Sequence, residues 1–93
     1  MKIPEQLKIG GHIIRVDASA EMEGLDGEFD TQKNLIRICA ALPQSQKEAT
    51  LIHEIFHALN VTMDDTNHFG HALLASLSEQ FYQVLKDNNL LND

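Results

Sequence analysis

The chain has 93 residues, 43% of them hydrophobic and 23% charged, with five glycines and two prolines. That composition excludes a disordered, collagen-like or low-complexity protein and sets the expectation of one domain, residues 1–93, with a thin core. Seven basic residues against fourteen acidic ones leave a formal charge of -7, which argues against nucleic acid as a partner, because phosphate binding needs clustered Lys or Arg.

The first half reads as strands. Leu7-Lys8-Ile9, Gly10-Gly11 and His12-Ile13-Ile14-Arg15-Val16 form a hairpin signal, since two glycines accept the positive φ of a tight turn. Glu21 to Gly27 is acidic and turn-rich. Asn34 to Cys39 alternates apolar and polar positions, the mark of a half-buried strand, and Glu28-Phe29-Asp30 is placed to pair with it across Thr31-Gln32-Lys33.

The second half reads as helices. Pro43 suits a first turn, and Ser45 with Glu48 three residues on has the spacing of a capping box. A helix is predicted over about 44–60. Asn60 to Asn67 breaks the pattern, and a second helix is predicted from Asn67 or His68 to Lys86. No apolar run approaches the ~20 residues of a membrane span. Met1-Lys2-Ile3-Pro4 shows no apolar leader, and the single Cys39 permits no internal disulfide. A cytoplasmic protein with no membrane partner is the expectation.

Charge is distributed unevenly. Residues 1–47 hold six basic and seven acidic groups, whereas 48–93 hold one basic group, Lys86, and seven acidic ones. His53, His57, His68 and His71 also lie in the second half. Histidines among carboxylates point to a cation site; a solvated acidic surface is the plainer reading.

His53-Glu54-Ile55-Phe56-His57 has the spacing H-E-x-x-H. Residues four apart on a helix differ by about 40°, so both imidazoles share a face and can hold one metal ion, zinc being suited to neutral imidazole nitrogen. Glu54 lies roughly 60° from His57, beside the metal rather than on it, where it can take a proton from metal-bound water. Leu51, Ile52, Ile55, Phe56, Ala58 and Leu59 cover most of this helix, leaving a strip of Thr50, His53, Glu54 and His57. Ionisable groups on a buried helix are costly unless something satisfies them.

A third protein ligand is expected, with water in the fourth position. The metzincin position, six residues past His57, is Met63, which excludes that class. On the second helix Leu73, Leu74, Leu77, Phe81, Val84 and Leu85 form an apolar arc bordered by His71, while His68 points away from it. His71 is the preferred third ligand; His68, Asp64, Asp65 and Glu79 are the alternatives. Cys39 reads as a core residue, His12 as a strand surface residue, and Tyr82 and His68 as oxyanion donors only if packing does not claim them.

The run Leu51 to Leu59, followed by Phe81 to Asn88, resembles small zincin-type metallopeptidases of phages and mobile elements and is similar to a minimal ImmA/IrrE-like domain. The resemblance implies zinc on His53 and His57 with Glu54 as general base. In that family the third ligand is typically a Glu on the following helix. His71 stands at that position here, which implies a three-His site or a ligand elsewhere.

The resulting expectation is an α+β fold, a small and mostly antiparallel sheet of three or four strands packed on two helices, with the metal between the helices. The expected activity is zinc-dependent hydrolysis of a peptide or protein substrate that adds to the sheet edge at residues 34–39. The alternatives are a non-catalytic zinc-binding regulatory module, in which a fourth protein ligand closes the site, and a metal-free helical interaction domain.

Overall fold

A computed structural model of the chain describes residues 2–61 and 71–90, apart from the side chains of residues 60, 61 and 71–78. Strands β1 (Gln6–Ile9), β2 (His12–Ala20), β3 (Gly27–Asp30) and β4 (Leu35–Cys39) are followed by helices α1 (Gln44–Val61) and α2 (His71–Asp87). The fold is α+β, a four-stranded sheet in the order β1-β2-β4-β3 with two helices. The β1–β2 and β3–β4 pairs are antiparallel, whereas β2 and β4 run parallel, so the sheet is mixed. Nothing in the local pattern announces that parallel pair. It arises because β3 and β4 fold back as a hairpin whose second strand docks on β2.

The β1–β2 turn is the two-glycine turn expected, with φ of 57° at Gly10 and 82° at Gly11. β2 runs four residues beyond the Val16 limit read from sequence, with a register break between Asp17 and Ala20. Its small residues Ala18 and Ala20 give a weak pattern, and pairing with β4 extends the strand regardless.

One sheet face packs on the helices. Leu7, Ile9, Ile14, Ile36 and Ile38 from the strands meet Leu51, Ile55, Ala58 and Leu59 of α1 and Val84 of α2. Eight of these large aliphatic side chains are fully buried, four from the strands and four from the helices, each stabilising the fold by about 1.5–3 kcal/mol relative to exposure. The rings of Phe56 and Phe81, 4.8 Å between centroids, join the two helices. Cys39 is buried as expected, and His12 is exposed.

The helix ends have identifiable causes. The Lys47 amide donates to the Pro43 carbonyl at 3.0 Å, so Pro43 opens α1 and Ser45 lies within the first turn. The reading of Ser45 as the cap is therefore corrected: proline lacks an N–H that would need a partner, and its fixed φ starts the helix earlier. α2 closes with Asn89 at a φ of 59°, its amide donating to Lys86 O and the Leu90 amide to Leu85 O. This pair of bonds is a Schellman stop, and Leu90 packs back on the core. No helix among the described residues is long and apolar enough to cross a membrane.

Candidate active site

The strip read on α1 divides in two. Thr50 and Glu54 are buried, at 8% and 5% exposure, whereas His53 and His57 are exposed. The cause is the neighbour each side meets. α1 packs along β3 and β4, and the turn of helix that carries Thr50 and Glu54 leans on Gly27 of β3. The histidines stand above that contact.

The two imidazoles converge. Their Nε2 atoms are 3.0 Å apart, with ring planes at 81°. Two nitrogens bound to one tetrahedral zinc at about 2.0–2.1 Å would sit roughly 3.3 Å apart, so the pair has nearly the separation that a shared metal requires. Beside them, Glu54 is 5% exposed and lines both of the cavities that open next to the histidines. A carboxylate held at the wall of a groove beside two imidazoles is placed to exchange a proton with a molecule bound there.

Two cavities of about 380 and 370 Å³ flank these groups. The first is lined by Asp26, Gln46, Ala49 and Thr50, the second by Glu28, Phe29, Thr31 and His57; Gly27, His53 and Glu54 line both. They form one groove along the outer edge of β3, with His53 and Glu54 at its middle. The site residues therefore face β3, and the described part of the groove is bounded by β3 and α1.

The edge itself presents unpaired backbone. The Cys39 amide donates to Asp26 O at 2.8 Å, and Gly27 pairs with Ile38. In an antiparallel ladder hydrogen-bonded residues alternate, so Glu28 and Asp30 bond to β4 while Gly27 and Phe29 turn their N–H and C=O outward. This corrects the expectation that residues 34–39 form the binding edge. β4 is interior, flanked by β2 and β3, and both of its sides are already paired. The open edge next to the histidines belongs to β3.

The third-ligand candidates fall largely outside the described structure. His71 is the first residue of α2, but its side chain is outside the described residues, as are His68, Asp64 and Asp65. Glu79 is described and exposed, and among the described residues no group of three or more His, Cys, Asp or Glu side chains is arranged to hold a metal. Glu79 therefore does not join His53 and His57. Tyr82 is also exposed, with the Lys86 ammonium 5.9 Å from its ring centroid, and lines neither cavity. Gly27 escaped the sequence reading. The signal was there: a glycine at the start of a strand marks close approach by another element.

No protein-family model, curated protein or solved structure matches this chain.

Proposed function

We propose that the protein is a zinc-dependent peptidase of zincin type, with His53 and His57 as metal ligands, His71 as the third, and Glu54 as general base. The observation that carries this reading is the convergence of the two Nε2 atoms at 3.0 Å beside the Glu54 side chain that lines the same open groove. Neutral imidazole nitrogen is a preferred zinc donor, and carboxylate next to the pair rather than between them suits a base.

Bound zinc supplies the Lewis acidity that lowers the pKa of a water molecule and polarises a carbonyl. The chain's own residues supply the rest. Gly27 and Phe29 offer outward backbone groups to an extended peptide, which adds as a fifth strand and brings its scissile carbonyl over Glu54. Glu54 accepts a proton from the attacking water as oxygen bonds to the carbonyl carbon. It then returns that proton to the amine nitrogen as the C–N bond breaks. The room left in the groove supports catalysis over a closed structural site, whose fourth position a protein side chain would fill.

Metal analysis of protein purified without added metal tests the reading. About one zinc per chain is expected. Glu54→Gln should retain that zinc and lose hydrolysis of a casein substrate by about 10²–10⁴-fold, the usual contribution of a general base. A folded chain that stays metal-free after exposure to zinc would overturn the assignment, and a Glu54→Gln variant that loses zinc would make Glu54 a ligand.

A further inference from the structure

Gly10, Gly11 and Gly24 have positive φ, which explains glycine at each of them. Gly27 does not, so another cause must account for it. A Cβ built on Gly27 would lie 2.6 Å from the Thr50 Cγ2 methyl, 2.9 Å from the Arg37 carbonyl oxygen and 3.5 Å from Glu54 Oε2. The first two separations are shorter than carbon can tolerate. Neither neighbour has an easy way to yield: Thr50 is a buried, β-branched residue with restricted χ1, and the Arg37 carbonyl belongs to the backbone of interior strand β4. β3 has no strand on its far side, so a side chain at position 27 would displace β3 outward.

We propose that Gly27 is a positioning residue: its missing side chain keeps the open edge of β3 at the distance from Glu54 that an added peptide strand needs. The proposal rests on the peptidase reading above. It separates two functions that share one groove. His53 and His57 are carried by α1 and do not depend on where β3 lies, whereas the outward N–H and C=O of Gly27 and Phe29 do. Position 27 accordingly governs peptide binding and leaves metal binding alone.

Hydroxamates distinguish the two. Acetohydroxamate has only its zinc-binding group to engage the site, while Pro-Leu-Gly-hydroxamate adds a short peptide that can lie along β3. On the zinc-loaded full chain, the peptide hydroxamate is expected to bind at least about tenfold tighter than acetohydroxamate, the worth of a few net strand hydrogen bonds. Gly27→Ala should reduce that preference to below about threefold, with zinc affinity and acetohydroxamate affinity each within about threefold of wild type. Gly27→Ala/Thr50→Ser, which deletes the Cγ2 methyl that meets the new carbon, should regain part of the preference. Should Gly27→Ala fail to fold, the double variant is measured in its place, and it must fold with a preference between the wild-type value and none.

An unchanged preference in Gly27→Ala overturns the proposal and leaves the peptidase reading standing. So does a parallel loss of zinc, acetohydroxamate and peptide hydroxamate, which would make Gly27 merely structural. A double variant that regains nothing overturns it as well. A wild-type chain that binds zinc but shows no preference for the peptide probe overturns the proposal together with strand addition. A wild-type chain that binds no zinc removes the peptidase reading itself.

Discussion

The two edges of the sheet are treated differently. At β1, Gln6 and Lys8 turn their backbone groups outward, since the Val16 amide bonds to Glu5 O and fixes the alternation. Asn88 seals Lys8. The Lys8 amide donates to Asn88 Oδ1 at 3.0 Å, and Asn88 Nδ2 donates to Lys8 O at 3.4 Å and to Val84 O at 2.9 Å. One side-chain amide thus occupies the place of a neighbouring strand, held there by the Schellman stop at the end of α2. At β3, Gly27 and Phe29 turn the same groups outward, and no described residue bonds to them. An unpaired edge invites association with any extended chain, which proteins ordinarily block. This one caps Lys8 on the β1 edge and, among the described residues, caps neither Gly27 nor Phe29 on the edge beside the histidines. The difference leaves β3 with outward backbone groups beside the histidines, which is where the proposed peptide would add.

The largest effect that sharpens this contrast is expected on α1. His57→Ala should weaken zinc binding beyond the about 10–100-fold that loss of a supporting residue costs, while His12→Ala, at an exposed position at the start of β2, should leave it unchanged. Competition titration against a chelator measures both, and equal effects would detach the metal from the open edge. His71→Ala should match His57→Ala, and His68→Ala should fall in the 10–100-fold range.

A smaller effect is expected at the sealed edge. Asn88→Ala removes three hydrogen bonds and should lower stability to urea by about 1–2 kcal/mol, given the net worth of such bonds in partly exposed positions. Sedimentation at rising concentration should also show self-association through the uncovered edge. A variant as stable and as monodisperse as wild type would mean that Asn88 does not protect β1.

The smallest effect lies away from both edges. The Ser19 hydroxyl, at 2.6 Å, and then the Ser19 amide, at 2.9 Å, hold the Asp17 carboxyl below its usual range; partial desolvation opposes them, and Arg37 and Arg15 assist. A carboxyl lowered in the folded state contributes stability that is present above its unfolded value of about 3.9 and lost as pH falls through the lower folded value. Ser19→Ala should therefore lower stability slightly at neutral pH, with the difference from wild type shrinking as pH falls below about 4, so that acid unfolding is slightly less steep. An equal loss at pH 3 and pH 7 would assign the serine to packing.

Much of the fold was legible because local physics dictated it. Two glycines with positive φ made the β1–β2 turn, the alternation Leu35 to Cys39 made a strand, and the breadth of apolar cover on α1 made a buried helix. His53 and His57 were legible as neighbours because helical periodicity alone puts residues four apart on one face. Periodicity also separated Glu54 from the pair.

Tertiary structure decided what no local pattern encodes. The order β1-β2-β4-β3 put the Leu35–Cys39 strand inside the sheet and β3 at its rim, because a hairpin pairs its second strand with β2 by contacts distant in sequence. That order turned Gly27 from an ordinary turn residue into the close contact between β3 and α1. It also buried Thr50 and Glu54 while leaving the histidines exposed. The sequence by itself determined which side chains share a helix face; which strand lies across from that face, and how near, was decided by the packing of the whole sheet, since burial and edge position belong to the assembled layers and to no single segment.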